Sequence, residues 1–157
     1  MDSTVTMNAN FIPWPRQMAI RFKKLDPRAV IPQFKTDGSA GLDLVALEDM
    51  CIWSGEVKKI RTGLAWSAPP YIVGRIVPRS SMFAKGFDCD GTIDSDYRGE
   101  ILVQLRFIST EDRKAFIKAG DRIAQLLPLL VGKMPIQEVD ELDDTTRGSG
   151  GFGSTGA

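Results

Sequence analysis

The segment with the clearest candidates for chemistry places two carboxylates and a tyrosine between glycines. It reads Gly91-Thr92-Ile93-Asp94-Ser95-Asp96-Tyr97-Arg98-Gly99. A hairpin turn would explain the glycines and the acids, but such a turn has no need of Ile93 or Tyr97. In a functional interpretation, Asp94 acts as a general base for water and Tyr97 forms a flat wall for a ring.

A second segment, Pro78-Arg79-Ser80-Ser81, has the residue types that bind phosphate. It follows a β-rich run and opens a short helical segment that ends at Gly86. The N-terminus of a helix offers unpaired N–H groups and the positive end of a dipole, and Arg79 adds bidentate donors. The alternative is a plain helix cap, in which the hydroxyls of Ser80 and Ser81 close the turn.

Two further polar residues interrupt apolar runs. Asp43, in Ala40-Gly41-Leu42-Asp43-Leu44, either faces outward or hydrogen-bonds at a strand end, or it reaches a metal-bound ligand through water. Gln125 is the uncharged polar residue of the run 123–130, and a buried glutamine most simply satisfies backbone groups. Neither pattern alone decides between a structural and a functional role.

The most informative segment is the glycine-rich tail at 147–156, in which one aromatic residue lies among glycines. Glycines let a backbone wrap phosphates, Arg147 can pair with them, and Phe152 can cover a base by stacking. The tail has no other apolar side chain, so it cannot fold alone. We expect it to become ordered only on a ligand.

The composition limits the chemistry that these residues can do. The 157 residues include 20 Lys and Arg, 20 Asp and Glu, and no histidine. Ser-His and Cys-His nucleophile pairs and His-ligated metal sites are therefore excluded. The balanced charge argues against direct nucleic-acid binding through bulk positive charge. Carboxylates, arginines, backbone amides or a metal brought by the substrate must carry any reaction.

The sequence also bears on location. Its apolar runs fall short of the ~20 residues that span a bilayer, and the start MDSTVTMNAN has no leader pattern. Two cysteines are too few for a disulfide framework. We therefore expect a cytoplasmic protein without membrane contact, whose Cys51 and Cys89 are reduced thiols, Cys89 being the more exposed.

Short alternating runs must form the scaffold that positions these segments. They are separated by Gly, Pro and Asp, a spacing that favours an all-β sandwich or barrel over βαβ units. Residues 110–117 form either a short helix or a charged hairpin loop. The chain divides into a flexible arm at 1–17, a β-barrel domain at 18–136, and an acidic linker with a glycine-rich flap at 137–157. Strands are predicted near residues 20–23, 42–46, 57–60, 63–66, 71–77, 101–107 and 123–130.

Taken in order, the five segments resemble the five motifs of the trimeric deoxyuridine triphosphatases (dUTPases). They read AGLDL, PRSSMFAKG, GTIDSDYRGE, RIAQLL and RGSGGFGSTG, and they extend from about Thr36 to Thr155. The resemblance implies a Greek-key or jelly-roll-like β-barrel that assembles into a homotrimer with shared active sites. It also implies hydrolysis of dUTP to dUMP and diphosphate with Mg²⁺ carried by the triphosphate. That reaction limits uracil incorporation into DNA and supplies dUMP for dTMP synthesis.

The resemblance also implies roles for single residues. Asp94 would activate the water that attacks the α-phosphorus, and Tyr97 would pack under the deoxyribose and exclude a 2′-hydroxyl. Asp43 would act through metal-bound water or by holding the site together. Phosphates would be contacted by Arg79, Ser80 and Gln125. The implied substrate-binding set is Arg79, Ser80, Ser81, Gly91, Ile93, Tyr97, Gln125, Arg147, Gly151, Phe152, Gly153 and Ser154, with Arg147 on the γ-phosphate and Phe152 over uracil.

One interval departs from the family pattern. Only fifteen positions separate Arg79 from Asp94, a few fewer than in familiar members. In the family this stretch forms the hairpin whose backbone reads the uracil edge, whereas here Phe87-Asp88-Cys89-Asp90-Gly91 is short and acidic.

Two rival functions remain to be weighed. A dCTP deaminase shares the fold, but that family places a glutamate where this chain has Gln104, and it lacks the glycine-rich tail. A binding or regulatory module on this fold would not need Asp94, Tyr97 and Phe152 together, although a second regulatory role stays open. Both comparisons favour the triphosphatase.

Overall fold

The computed structural model describes residues 18–150, and this part of the chain is almost entirely β-sheet. The all-β prediction is therefore confirmed, as is the one short helix after Pro78. In chain order the elements are β1 (Arg21–Lys24), β2 (Leu42–Val45), β3 (Met50–Trp53), β4 (Val57–Arg61), β5 (Leu64–Ser67), β6 (Ile72–Val77), α1 (Ser80–Phe83), β7 (Phe87–Cys89), β8 (Gly91–Ile93), β9 (Leu102–Phe107), β10 (Lys114–Ile117) and β11 (Arg122–Leu130).

The strands pair in antiparallel fashion with partners that are distant in the chain. The largest sheet has the order β2-β11-β6-β8, and a second sheet has the order β4-β9-β7. Two further pairs, β1-β5 and β10-β3, complete the strands. Such connections between non-consecutive antiparallel strands are typical of Greek-key and jelly-roll barrels. The predicted fold class is thus the observed one.

The alternation of side chains along β9 shows how the sequence builds the core. Val103 and Leu105 are fully buried, whereas Gln104 between them faces outward. Trp66 of β5 is also buried, and it lies against Gly74 of β6, where a Cβ would come within 2.8 Å of the indole ring. Strands from all four sheets contribute to this cluster, so one apolar core holds the barrel together.

Two local predictions are wrong. Cys89 is buried in β7, because the strand alternation turns Asp88 and Asp90 outward and Cys89 into the core. This burial, with a smaller contribution from the two aspartates, raises the pKa of the Cys89 thiol to about 12. Cys51 is the more accessible cysteine, and both are free thiols.

Residues 110–117 also differ from both alternatives considered for them. Their second half is strand β10, which pairs with β3 rather than turning back as a hairpin. Ala115 and Ile117 face inward, while Lys114 and Phe116 are exposed. Because Phe116 is apolar but exposed, the alternation of polar and apolar residues that marks a strand is absent from this part of the sequence.

The described chain after β11 is exposed and contains no helix or strand up to residue 150. Its apolar side chains lie in solvent, among them Met134, Ile136 and Leu142. The arm predicted at 1–17 lies outside the described residues. No helix in the described part of the chain is long and apolar enough to cross a membrane.

Candidate active site

The Asp94 backbone is fixed while its carboxylate is open. Asp94 follows β8, and its carbonyl oxygen accepts hydrogen bonds from Trp66 Nε1 at 3.0 Å and from the Tyr97 N–H at 3.1 Å. Since Trp66 belongs to the core, it ties the loop to the barrel. The side chain of Asp94 is exposed and forms no salt bridge among residues 18–150. A carboxylate held in this way can accept a hydrogen bond from water.

Arg98 holds the loop that follows Asp94 in its tight shape. Its Nη1 donates to the carbonyl oxygens of Ser95 at 2.8 Å, Tyr97 at 3.1 Å and Trp66 at 3.4 Å. The guanidinium therefore satisfies backbone oxygens of the loop itself. Asp94 and Asp96 are both exposed, but only Asp94 lines the cavity described below. The structure therefore distinguishes two carboxylates that lie two positions apart in the sequence.

Tyr97 is positioned by Gly99 and Glu100. Its hydroxyl donates to the Glu100 carbonyl oxygen at 3.2 Å. Its ring lies over Gly99, where a Cβ would come within 2.3 Å of the hydroxyl oxygen and 2.5 Å of Cζ. Gly99 is thus required for space, and the ring remains 43% exposed toward the cavity.

An open cavity of about 220 Å³ adjoins Asp94 and Tyr97. Whole ligand pockets usually measure roughly 300–1,000 Å³, so this cavity suits one part of a larger ligand. Sequence reasoning found its Thr92–Tyr97 wall but missed the opposite wall. Alternation along β9 and the β4–β9 pairing, which sets Lys59 opposite Gln104, were the available signals. The cavity, called the Asp94 cavity below, is lined by Lys59, Thr92, Ile93, Asp94, Tyr97, Glu100, Leu102 and Gln104.

A second group of functional residues surrounds the buried carboxylate of Asp43. Its Oδ1 accepts from Arg79 Nε at 3.0 Å and its Oδ2 accepts from Arg122 Nη1 at 3.1 Å. Gln125 lies directly opposite Asp43 in the β11–β2 pairing. We call these four residues the Asp43 cluster. One carboxylate offsets two guanidinium charges, so the cluster keeps a net positive charge that suits phosphate.

The start of α1 leaves the serine hydroxyls available. Arg79 is the N-cap, with extended dihedral angles and no side-chain cap bond, so the alternative in which Ser80 and Ser81 cap the helix does not hold. Both serines are exposed, and Ser81 Oγ receives only a long bond of 3.4 Å from Arg79 Nη1. The first turn closes instead through the Arg79 carbonyl, which accepts from the N–H groups of Met82 and Phe83 at 2.9 Å. The hydroxyls beside the Asp43 cluster can therefore bind a ligand.

The Asp43 cluster and the Asp94 cavity lie at opposite ends of β6. Ile93 pairs with Gly74 near the start of that strand, which sets Asp94 beyond it, whereas Arg79 follows the strand's end at Val77. Asp94 falls beside Val73, whereas the Asp43–Gln125 pair lies opposite Val77, four positions or ~13 Å away along the strand. Because β2 and β8 are also three strand spacings apart in this sheet, ~14 Å at ~4.8 Å each, the two groups are about 20 Å apart. A single chain therefore assembles the Asp43 cluster and the Asp94 cavity, but it does not place the two next to each other.

The segment between α1 and Asp94 carries its own carboxylates. The N–H groups of Cys89 and Gly91 donate to the Asp88 and Asp90 side chains at 2.8 and 2.9 Å. Arg75 of β6 then pairs with Asp90 at 2.5 Å and with Thr92 Oγ1 at 3.0 Å. The N–H groups of Cys89 and Gly91 are thus covered by side chains. The expected hairpin does not form either, because β7 pairs with β9 and β8 pairs with β6.

The described residues offer no resident metal site. Within residues 18–150, no three Cys, Asp or Glu side chains are placed so that they could hold one ion. Both oxygens of Asp43 already accept from arginines, which favours its role in holding the site together over a water-mediated contact with metal.

The tail lies mostly beyond the described residues. Arg147 is exposed, and its Nε donates to the Gly150 carbonyl oxygen at 2.9 Å, a bond within the tail itself. The predicted substrate contacts of Gly151, Phe152, Gly153 and Ser154 lie outside the described residues.

Comparison with known proteins identifies relatives over nearly the whole chain. A family model described as dUTPase matches residues 28–156. The deoxyuridine 5′-triphosphate nucleotidohydrolase of Crocosphaera subtropica is 44% identical over 143 residues, which cover 88% of this chain and 99% of the relative. The protein of the same name from Nautilia profundicola is 46% identical with the same coverage. A solved dUTPase of Staphylococcus bacteriophage 80alpha superposes with a TM-score of 0.80 over 88% of this chain and 99% of its own; at 24% identity this likeness concerns the fold.

Proposed function

The chain belongs to the dUTPase family, and from that premise we propose how its residues hydrolyse dUTP. The chain is a hydrolase of nucleotide metabolism that converts dUTP and water to dUMP and diphosphate. We assign the activation of the attacking water to Asp94. This assignment rests on the position of Asp94. Its side chain lines an open cavity, while its backbone carbonyl is held by the hydrogen bond from Trp66.

In the proposed step, the water oxygen forms a bond to the α-phosphorus. The bond from that phosphorus to the bridging oxygen breaks, and the electron pair leaves with diphosphate. Asp94 accepts the proton of the water. An aspartate is a weak base at neutral pH, so much of its effect must come from holding the water in line with the leaving group.

Tyr97 forms the wall on which the deoxyribose packs. Its ring rests on Gly99 and its hydroxyl is hydrogen-bonded to Glu100, so both contacts oppose its displacement by a larger sugar. A 2′-hydroxyl would then meet the ring. Gly91 and Ile93 complete the nucleoside side of the site in this proposal, the latter as part of the cavity wall.

The Asp43 cluster binds the phosphates in this proposal. Asp43 uses the Nε of Arg79, and Nη1 makes two long bonds of 3.4 Å, to Ser81 Oγ and to the Arg122 carbonyl oxygen, so Nη2 is the group that we assign to phosphate. Ser80 and Ser81 add hydroxyl and N–H donors at the start of α1, and Gln125 adds an amide. Donors aimed at phosphate oxygens stabilise the negative charge that moves onto the departing diphosphate.

Each active site is shared between chains of a homotrimer in this proposal. The support is the separation of about 20 Å between the Asp43 cluster and Asp94, which lie at opposite edges of the β2-β11-β6-β8 sheet, so that one chain does not place both groups at the same phosphate. A neighbouring copy that presents its Asp94 cavity to this chain's Asp43 cluster would complete the site.

The flap and the metal act on the triphosphate in this proposal. Arg147 pairs with the γ-phosphate, Phe152 stacks over uracil, and Gly151, Gly153 and Ser154 wrap the phosphates through their backbone. Mg²⁺ arrives with the triphosphate as part of the substrate and neutralises its charge. A water-mediated contact of Asp43 with that metal remains a prediction.

We also propose that the chain is divided into an arm at 1–17, a barrel at 18–136, and a linker with a flap at 137–157. We further propose that the chain works in the cytoplasm, where its two free thiols persist. There, the reaction would limit uracil in DNA and supply dUMP for dTMP synthesis.

The test is release of dUMP and diphosphate from dUTP, with dTTP, dCTP and UTP as competitors in matched assays containing Mg²⁺. We expect dUTP to be the preferred substrate. Equal rates on dCTP would contradict uracil selection and point to the segment around Asp88 and Asp90, whose neighbouring backbone N–H groups are covered, as the cause. No release from dUTP would refute the proposed function outright.

A further inference from the structure

Glu100 links the Tyr97 wall to the barrel through two different parts of the same residue. Its carbonyl oxygen accepts the Tyr97 hydroxyl at 3.2 Å. Its carboxylate accepts from Arg61 Nε, with both oxygens at 3.2 Å, and from the Gly63 N–H at 2.8 Å. The Glu100 side chain is 20% exposed and that of Arg61 is 42% exposed, so water competes more with the ion pair than with the bond to the buried Gly63.

The partners of Glu100 are themselves rigid. Gly63 is buried in the turn between β4 and β5, with a φ of 69° that favours glycine. Its N–H would lose its acceptor without Glu100, and a buried donor without an acceptor is costly. Next to this contact, the Ile101 N–H donates to the Leu64 carbonyl at 2.7 Å. The Glu100 carboxylate therefore connects the loop at 94–99, called the catalytic loop below, to the buried turn between β4 and β5.

We propose that Glu100 is a positioning residue that sets the discrimination between deoxyribose and ribose. It acts through Tyr97, because a shift of the Glu100 backbone moves the acceptor that fixes the tyrosine hydroxyl. This inference rests on the proposed function, in which Tyr97 forms the wall under the sugar. A wall displaced by ~1 Å would admit a 2′-hydroxyl, and misplacement of that size can change rates ~100-fold.

The contacts of Arg61 supply a matched control. Its Nη1 lies 3.9 Å from a second carboxylate, that of Glu48, which is 39% exposed and lies outside the catalytic loop. Removing the Glu48 charge changes the surroundings of Arg61 without touching the path from Glu100 to Tyr97. Glu48→Gln should therefore leave sugar discrimination unchanged.

The experiment compares Glu100→Ala, Glu100→Gln and Glu48→Gln with the wild type. The readouts are kcat/KM for dUTP, the inhibition constant of UTP against dUTP, and Tm. Glu100→Ala should tighten UTP inhibition relative to dUTP turnover about tenfold, a part of the ~100-fold that a full displacement can cost. Glu100→Gln should change it less, because the amide oxygen can still accept from the Gly63 N–H.

Three outcomes separate the explanations. An unchanged UTP-to-dUTP ratio in both Glu100 variants, with or without a lower Tm, would overturn the positioning role. If Glu100→Ala does not fold, Glu100→Gln decides, since its ratio should still shift while that of Glu48→Gln does not. A wild-type protein that does not hydrolyse dUTP would instead refute the proposed function, and with it the premise of this inference.

Discussion

Gly99→Ala is the substitution whose effect follows most directly from the geometry of the site. The added Cβ would lie 2.3 Å from the Tyr97 hydroxyl oxygen and 2.5 Å from Cζ, whereas ordinary contacts begin at 3.4 Å. The tyrosine ring must therefore move by about 1 Å, a displacement that can cost ~100-fold in rate. This corresponds to about 2.7 kcal/mol of lost transition-state stabilisation, at ~1.36 kcal/mol per factor of ten.

The effect should be on catalysis rather than on folding. Tyr97 is 43% exposed, so its ring can move without opening a core cavity, and Tm should change by no more than ~2 °C. The assay is kcat/KM for dUTP together with UTP inhibition. Gly38→Ala is the matched control, because a Cβ at Gly38 meets no atom within 4 Å. Wild-type turnover and sugar discrimination in Gly99→Ala would refute the assignment of Tyr97 as the sugar wall.

Three further substitutions or treatments test other parts of the site. Asp43→Asn should reduce kcat/KM at least tenfold and destabilise the fold by about 1–3 kcal/mol, because Arg79 and Arg122 lose their buried anion; chemical denaturation and turnover of the same sample check both. Cys89, whose pKa is raised from 9.0 to about 12 by burial, should resist alkylation in the native protein at pH 8, and rapid labelling would contradict the burial. The contribution of the Cys89 thiol to stability is present below pH 9 and is lost as pH rises toward 12. Cys89→Ala should therefore weaken the fall in the free energy of unfolding between pH 9 and 12. Removal of residues 147–157 should abolish most turnover and leave Tm unchanged, whereas a collapse of Tm would show that the tail is structural.

The composition of the Asp94 loop could be interpreted from sequence because its chemistry is local. Asp94, Tyr97 and Gly99 lie within a few positions of one another, and their types already suggest a carboxylate beside a ring wall. The barrel was predictable for a similar reason, since alternation along a strand such as β9 depends only on neighbours two positions apart.

The Asp43 cluster shows what the sequence could not supply. Asp43 and Arg122 are 79 positions apart and meet only because β2 and β11 pair, with a register shift between Arg122 and Ala124. Nothing local distinguishes an aspartate that binds two arginines from one that faces a metal-bound water. Pairing between distant strands is decided by the whole core, so this contact became visible only in the folded chain.

The missed wall of the Asp94 cavity has a different cause. Lys59 and Gln104 are exposed polar residues of ordinary strands, and such residues are usually no more than a solvated face. Glu100 ends the GTIDSDYRGE segment, but its role could not be assigned from sequence because it depends on the Arg61 and Gly63 groups that the fold brings to it. The exposure predicted for Cys89 is wrong because Cys89 belongs to the short strand β7, which turns it into the core.

The central claim is that Asp94 directs water onto the α-phosphorus, and isotope transfer from water tests it most directly. Hydrolysis of dUTP in ¹⁸O-labelled water, followed by mass spectrometry of both products, shows which phosphorus was attacked. We expect one labelled oxygen in dUMP and none in diphosphate, with turnover lost in Asp94→Asn while nucleotide binding persists. Label in the diphosphate, or undiminished turnover in Asp94→Asn, would contradict it.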